Sequence, residues 1–244
     1  MNITKEIRQL KKLIEETDNL VFFGGAGVST ESGIPDFRSV DGLYNQKYSF
    51  PPEIILSNTF YRKNKKEFYR FYKDKMIYTK AEPNNAHLAL SAWEKEGKCK
   101  AVITQNIDGL HQKAGSEIVW ELHGSTLRNY CEVCGTFYPV EFIVNSADIP
   151  VCKCGGDIKP DVVLYEEGLN EQILKSAVAA IAKADVLVVA GTSLTVYPAA
   201  GLLDYYDGNR LVLINKTPTA KDGIADLIVQ GSVGEVFAYC REGE

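Results

Sequence analysis

The stretch Leu20-Val21-Phe22-Phe23-Gly24-Gly25-Ala26-Gly27-Val28-Ser29-Thr30 decides the fold class of this chain. Its apolar start ends at two glycines, which is typical of a buried strand that turns into a glycine-rich loop. Such a loop lets backbone N–H groups approach a phosphate. Thr30 takes the third glycine position of the G-x-G-x-x-G fingerprint, and the acidic residue expected about 20 positions later is missing. The stretch therefore predicts a phosphate-binding turn unlike that of a dehydrogenase, with a plain strand-to-helix turn as the alternative.

Five further short apolar runs indicate strands that are covered on both faces, because they are rich in β-branched residues and do not alternate with polar ones. They lie at 101–103, 118–120, 186–190, 211–214 and 227–229. Helical stripes of apolar residues lie between several of these runs and also precede the first strand. This arrangement predicts an α/β protein with a doubly wound parallel sheet.

Two segments interrupt this pattern. Residues 41–80 are rich in Tyr, Phe and Lys without a strand pattern, and residues 125–159 hold a cysteine cluster with short strand-like pieces. We interpret both as insertions that together form a smaller domain. The large domain then comprises 1–40, 81–124 and 160–244.

The composition excludes several classes of protein. The chain has 244 residues, is 45% hydrophobic and 24% charged, and carries a formal net charge of −5, as an ordinary globular protein does. The acidic balance argues against nucleic acid as a direct partner, since phosphate binding needs clustered Lys and Arg. No apolar run approaches the ~20 residues of a membrane helix, and the first residues lack a signal-peptide core. We therefore expect a cytoplasmic protein with no membrane partner.

Four of the six cysteines are clustered, and they predict a metal site. Cys131 and Cys134 form one close pair, and Cys152 and Cys154 form a second pair that is one residue tighter than the common spacing. Two close thiolate pairs match a closed tetrahedral zinc site, which would be structural because no coordination position stays open. Redox-active cysteines are the alternative.

Polar side chains follow two of the predicted strands, where open α/β sheets bind ligands. Gln105, Asn106 and Asp108 come directly after one strand, and His123 follows another. A neutral imidazole near pH 7 is the usual general base. A turn cap is the alternative for Asp108, and a structural histidine is the alternative for His123. His87 is expected to be structural.

Several of these motifs together resemble the sirtuins of bacterial type, which are NAD-dependent protein deacylases. They are Gly25-Ala26-Gly27-Val28-Ser29 with Ser32-Gly33-Ile34-Pro35-Asp36-Phe37-Arg38, Thr104-Gln105-Asn106-Ile107-Asp108, Leu122-His123-Gly124, the four cysteines, and Gly191-Thr192-Ser193. The resemblance implies a Rossmann-like large domain, and a small domain made of a helical module (41–80) and a zinc module (125–159). It also implies NAD as co-substrate, one structural zinc ion, and acyl-lysine proteins or peptides as substrates.

The resemblance further implies the site residues. His123 would be the general base on a ribose hydroxyl, with Asn106 and Asp108 as the other catalytic residues. The NAD contacts would be Gly25, Ala26, Gly27, Ser29, Ile34, Asp36, Phe37, Arg38, Gln105, Asn106, Ile107, Asp108, Gly191, Thr192, Ser193, Asn215, Lys216, Ser232 and Val233. The acyl-peptide contacts would be Tyr69, Tyr72, Val162, Val163, Leu164, Tyr165 and Val196.

Two departures from the family pattern lead to finer expectations. Tyr165-Glu166-Glu167 stands where many members read Phe-Gly-Glu, so we hypothesise an acidic rim that favours lysine-rich peptides. Tyr72 stands where members that favour acidic acyl groups carry Arg, which predicts neutral acyl groups over succinyl; an aromatic core face is the alternative for this helix. A mono-ADP-ribosyltransferase with the same NAD site and a non-enzymatic zinc-module scaffold are the alternative functions.

Overall fold

A six-stranded parallel sheet forms the centre of the large part of the molecule. The structure, a computed structural model, describes residues 3–37, 42–43 and 48–242. The sheet order is β3-β2-β1-β7-β8-β9, and every neighbouring pair runs parallel. The strands of both sheets are β1 (Leu20–Gly24), β2 (Cys99–Thr104), β3 (Val119–Glu121), β4 (Gly124–Cys131), β5 (Phe137–Pro139), β6 (Ile158–Val162), β7 (Val186–Ala190), β8 (Leu211–Asn215) and β9 (Leu227–Gln230). The predicted doubly wound sheet is thereby confirmed.

Helices cover both faces of this sheet. The described α-helices are α1 (Lys5–Glu16), α2 (Pro52–Ile55), α3 (Asn58–Lys63), α4 (Lys65–Lys75), α5 (Asn85–Lys95), α6 (Leu110–Lys113), α7 (Val140–Asn145), α8 (Glu171–Lys183) and α9 (Val233–Glu242). The core on one face joins α1, α5 and α9 to the sheet, and the core on the other face joins α8 and a 3-10 helix, Ala199–Tyr205. No helix in the described ranges is long and apolar enough to cross a membrane.

The sequence expectation of full coverage holds for the central strands and fails at both edges. In β3, at one edge, Val119 and Trp120 are only half-buried. All five residues of β1, β7 and the first four of β8 are buried. In β9 burial alternates, and Ile228 is 44% exposed between buried Leu227 and Val229. The strand lies at the edge of the sheet, where the α9 side alone is covered.

A second, three-stranded antiparallel sheet, in the order β5-β4-β6, carries the cysteine segment. Its residues share one hydrophobic core with the aromatic side chains of α3 and α4. The chain passes from the large sheet into this small one directly after His123. Gly124 has φ +76°, and a Cβ there would lie 1.9 Å from the Asp161 carbonyl oxygen, so this crossing requires glycine.

Candidate active site

A cavity of about 870 Å3 lies at the carboxyl ends of the six parallel strands. The strand order reverses between β1 and β7, and such a reversal opens a crevice between the loops that follow the two strands. These loops touch: Gly25 N donates to Ala190 O at 3.1 Å, and Gly27 N donates to Gly191 O at 2.8 Å. The topology thus places the glycine loop at the position where open α/β sheets bind ligands.

The glycines of this loop allow the two loops to pack. A Cβ on Gly27 would lie 2.7 Å from Gly191 Cα, and a Cβ on Gly25 would lie 2.7 Å from Thr192 Cβ. The N–H groups of Gly27, Val28 and Ser29 donate to carbonyl oxygens within the protein. The glycines therefore serve close contact between backbones, and these three N–H groups are already bonded.

A chain of hydrogen bonds brings the predicted strand-end side chains together. Asn106 Nδ2 donates to Ser29 Oγ at 3.0 Å, and Ser29 Oγ donates to Asp108 Oδ2 at 2.7 Å. Asp108 Oδ1 also accepts from Leu110 N at 2.9 Å at the start of α6. Asp108 is thus both a turn cap and a member of the site. Burial raises the pKa of its carboxyl group, and the bond from Ser29 opposes that rise.

His123 is held as one tautomer. Its Nδ1 lies 2.9 Å from the carbonyl oxygen of Gln105. Because a carbonyl oxygen only accepts, Nδ1 carries the proton and Nε2 carries the lone pair. Burial lowers the pKa of His123, and the bond to Gln105 opposes this only in part. The ring is therefore neutral near pH 7 and lines the cavity with a basic nitrogen.

The other end of the cavity is joined by a second set of bonds. Gln105 Nε2 donates to Thr192 Oγ1 at 3.1 Å, and Thr192 N donates to Asn215 Oδ1 at 3.1 Å. Gly234 N, at the start of α9, donates to Glu31 Oε2 at 2.7 Å. These bonds fix the loops after β2, β7 and β8 relative to one another and join the loop after β1 to the start of α9.

Most residues predicted for NAD and for the acyl peptide line this one cavity. They are Ala26, Gly27, Ser29, Ile34, Asp36, Phe37, Gln105, Asn106, Ile107, Asp108, His123, Val162, Val163, Leu164, Tyr165, Gly191, Thr192, Ser193, Val196, Asn215, Lys216, Ser232 and Val233. Gly25 lies behind the lining, against Thr192. Arg38 lies outside the described residues.

Two predicted substrate residues do not lie with the others. Tyr69 is 1% exposed and Tyr72 is fully buried, both in the core that α4 shares with the small sheet. Tyr69 Oη donates to Ile158 O, and Tyr72 stacks on Phe68 with ring centroids 5.5 Å apart. The structure does not bring these two tyrosines to the cavity with the other predicted contacts, because the aromatic face of α4 turns toward the zinc module. The alternative, an aromatic core face, is what the structure shows.

Some lining residues were not identified from the sequence. Thr217, Pro218 and Thr219 continue the loop after β8, so extending the rule that strand ends bind ligands would have found them. Lys75 and Met76 lie at the end of α4 and line the opposite wall. No motif in the sequence marks these two, since only the packing of α4 turns its end toward the cavity.

The two carboxylates of the hypothesised acidic rim line the cavity, and each has a partner within the protein. Glu166 Oε2 accepts from Thr59 N at 2.8 Å. Glu167 pairs with Lys159 at 3.2 Å and accepts from Asn58 Nδ2 at 2.6 Å. Both carboxylates are thus engaged within the protein.

His87 has the structural role expected of it. Its Nδ1 accepts from Asn84 N at 3.2 Å, which closes a capping box at the start of α5. Burial lowers the pKa of His87 to about 4. His111 is wholly buried beside it, with ring centroids 4.7 Å apart, and its pKa is also lowered by burial.

The four clustered cysteines fit a zinc ion. The four Sγ atoms lie within 4.8 Å of one another; Cys131 and Cys154 are 3.5 Å apart, and Cys134 and Cys152 are 3.6 Å apart. Tetrahedral zinc with bonds of about 2.3 Å separates its sulfurs by about 3.8 Å. A Cβ on Gly156 would lie 2.9 Å from Cys131 Sγ, so glycine there makes room for the first cysteine pair.

Comparisons with known proteins agree with this geometry. A family model for the Sir2 family matches residues 25–198. The chain is 55% identical over 241 residues to the NAD-dependent protein deacetylase of Clostridium acetobutylicum, covering 97% of this chain and 98% of that protein. It is 57% identical over 236 residues to the NAD-dependent protein deacetylase of Clostridium perfringens, covering 95% and 97%.

Solved structures give the same likeness. A Sir2 enzyme aligns with a TM-score of 0.89 at 41% identity and covers 98% of both chains. A complex of Sir2 with a p53 peptide and NAD+ aligns with a TM-score of 0.85 at 39% identity and covers 97% of both chains.

Proposed function

The chain belongs to the Sir2 family, and from that premise we propose that it is an NAD-dependent protein-lysine deacetylase. It transfers the acyl group of an acyl-lysine to the ADP-ribose part of NAD and releases nicotinamide and free lysine. The observation that carries this proposal is the fixed tautomer of His123, which places a basic nitrogen on the cavity beside Asn106 and Asp108.

The lining of the cavity fits NAD as the co-substrate. Bound NAD supplies a ribose C1′ that loses nicotinamide and accepts the carbonyl oxygen of the acyl group. His123 Nε2 accepts the proton of a ribose hydroxyl, Asn106 orders the ribose and a water, and Gln105 contacts the ribose. Asp108 and Ile107 hold the nicotinamide amide, while residues 26–38 cover the pyrophosphate and nicotinamide.

The rest of the lining divides between the two remaining groups. The adenosine end is held by Gly191, Thr192, Ser193, Asn215, Lys216, Ser232 and Val233. The acyl peptide lies along residues 162–165 and Val196. This division is supported by the cavity that these residues share and by the complex of a similar Sir2 chain with a peptide and NAD+.

One assay tests the function. Acetyl-lysine peptide and NAD are incubated with the zinc-loaded protein, and nicotinamide and deacetylated peptide are both measured. Deacetylation predicts equal amounts of the two products. Nicotinamide with labelled protein and intact acetyl groups indicates ADP-ribosyl transfer instead, and the absence of both products leaves the scaffold alternative.

Neutral acyl groups are preferred over succinyl in this proposal. Tyr72 is buried in the core beside α4, so it offers no cation to an acidic acyl group. Lys75 lines the cavity but pairs with Asp74 at 3.1 Å. Burying an unpaired carboxylate is costly, so kcat/KM for a succinyl peptide is expected to be about tenfold or more below that for the acetyl peptide. Equal kcat/KM values for the two peptides would contradict the preference. If the value for the succinyl peptide then falls in Lys75→Met, Lys75 is the cation that pairs with the acidic acyl group.

The cysteine site also bears on the cellular compartment in which the protein works. Thiolates bind zinc only in the reduced state, and cytosolic reductants keep thiols reduced. A cytoplasmic location is therefore proposed together with the structural zinc. Recovery of zinc-free protein with disulfides among the four cysteines from intact cells would contradict it.

A further inference from the structure

Glu166 and Leu194 are the two non-glycine residues with positive φ in the described ranges, at 76° and 55°. Left-handed backbone is uncommon outside glycine and persists where the surroundings impose it, often at functional sites. Glu166 lies at the end of segment 162–167, and Leu194 lies in segment 192–197. These segments line the cavity from two sides, so the unfavourable conformations coincide with the proposed peptide-binding edges.

The turn at Glu166 is bonded to the junction of α2 and α3. Tyr165 N donates to Leu56 O, and Asn58 N donates to Tyr165 O, both at 3.0 Å. The Glu166 carboxylate extends the same contact, because its Oε2 accepts from Thr59 N at 2.8 Å. An exposed glutamate in left-handed backbone thus uses its side chain to bind the helical module.

The peptide-binding edge depends on this turn for its position. On its other side, Val163 N donates to His123 O at 3.0 Å, which fixes the distance of the edge from the catalytic base. Segment 162–165 is therefore held at one end by the residue that carries the base and at the other end by the turn at Glu166. If the turn opens, the edge loses its fixed place against the peptide while the NAD side keeps its own bonds.

We propose that Glu166 is a positioning residue for the acyl peptide: its carboxylate, bound to Thr59 N–H, holds the turn that fixes segment 162–165 at the substrate edge. The inference rests on the proposed deacetylase function for its kinetic consequence, and on the geometry alone for its structural one. The acidic-rim hypothesis concerns the charge of the same carboxylate, and the variants below separate that role from the role of an internal acceptor.

Steady-state kinetics of three variants test the proposal. Glu166→Ala and Glu166→Gly remove the acceptor, and each is expected to raise KM for the acetyl peptide about fivefold, the value of one hydrogen bond. The KM for NAD and kcat stay within about twofold, because the bond that these variants lose joins the turn to α3 and not to residues 105–108 or 191–193. Glu166→Gln keeps an acceptor oxygen and is expected to retain the wild-type KM. Glu171→Ala, which removes an exposed acid from the same region, serves as the charge control.

Three results would overturn the proposal. A wild-type KM for Glu166→Gly would mean that the left-handed backbone conformation holds the turn without the carboxylate. Equal increases in KM for Glu166→Gln and Glu166→Ala, or an increase for Glu171→Ala, would restore the charged rim. Unchanged KM in all variants would show that the turn does not position the peptide.

A readout without catalysis separates this proposal from the proposed function. Amide hydrogen exchange at Thr59 is expected to be about tenfold faster in Glu166→Ala and Glu166→Gly than in the wild type, and unchanged in Glu166→Gln. Unchanged exchange in all three variants would show that the Glu166 carboxylate does not hold the turn, even if the enzyme is active. If the wild-type protein fails to deacetylate any peptide, the function is wrong while the exchange result still decides the role of Glu166.

Discussion

The lowered pKa of His123 makes the rate of deacetylation depend on pH in a defined direction. Burial lowers the pKa of this histidine below the ordinary 6.5. The base is therefore active at neutral pH, and kcat/KM is expected to fall about tenfold per pH unit only below that lowered pKa. The measurement is a pH profile of deacetylation. An acid limb with its midpoint above pH 6.5 would contradict the assignment.

Replacing the ring tests the same residue from the other side. His123→Ala is expected to lower kcat by about 10²–10⁴-fold, the usual contribution of a general base. Binding of NAD, measured by titration calorimetry, should stay within a few-fold because the other loops keep their bonds. A variant that binds NAD and still turns over at the wild-type rate would exclude His123 as the base.

The pair of His87 and His111 affects stability and not catalysis. Burial lowers both pKa values, that of His87 to about 4, so the folded state resists protonation that the unfolded state accepts. Stability is full above the unfolded pKa near 6.5 and is lost as pH falls below it, by about 1.4 kcal/mol per pH unit for each histidine. His111→Leu should reduce this slope between pH 6 and 5 by about 1.4 kcal/mol per pH unit, the share of one histidine, as measured by urea unfolding. An unchanged slope would contradict the prediction.

The sequence predicted the place of a residue best where the residue directly follows a strand. Asn106, Asp108 and His123 were predicted together because each follows a recognisable strand, and parallel strands end at one edge. Whether Tyr69 and Tyr72 lie in the core or at the cavity could not be decided from the sequence, because it gives the apolar stripe of a helix but not the neighbour that the stripe faces. The partner of Glu166, Thr59, lies 107 positions away. No local pattern contains such a contact.

We expect the zinc module to depend on metal for its fold. Strand β5 has only three residues, and the core of the module includes Cys131 and Cys152 themselves. We expect about one zinc per chain, and Cys131→Ala should lose the metal and the protection of β4 and β6 in hydrogen exchange. Cys240→Ala is the matched control, since it removes a buried thiol outside the cluster and should leave the zinc content unchanged. A folded, zinc-free wild-type protein would contradict the prediction.

The large elements were predictable because their signals are local and strong. The apolar runs gave the six parallel strands, and the 3-4 spacing of Ile7, Leu10 and Ile14 gave α1. Alternating burial in β9 was not predicted, since an all-apolar run of three residues looks alike at the centre and at the edge of a sheet. Which strand lies at an edge follows from the order of the sheet, and that order depends on long-range pairing.

At the scale of the whole molecule, His123, the proposed general base, lies at the seam between the two sheets. β3 ends at Glu121, the chain turns at Gly124, and β4 begins the small sheet. The domain boundaries drawn from composition stay a prediction. The boundary between the large domain and the zinc module, drawn between residues 124 and 125, coincides with this seam. The substrate edge at 162–165 leaves the small sheet at the same place. The base and the peptide edge are therefore positioned by one junction.

Arg128 closes this junction, and its removal is expected to loosen both sheets. Its Nη1 lies 2.7 Å from Glu121 Oε2, and its Nε lies 2.8 Å from Asp161 Oδ2. The Glu121 side chain is only 7% exposed, so Arg128→Met leaves a buried carboxylate unpaired. The free energy of unfolding should fall by about 1–3 kcal/mol, and the double variant Arg128→Met/Glu121→Leu should lose less than the sum of the single losses. Arg70→Met removes an exposed pair and should cost less than about 1 kcal/mol.

Urea unfolding of the zinc-loaded proteins measures all four variants, including Glu121→Leu alone. Because Arg128 joins the strand end before His123 to the strand before Val163, kcat should fall along with stability. Additive losses, or a loss for Arg128→Met no larger than that for Arg70→Met, would show that the two sheets are held together without this bridge.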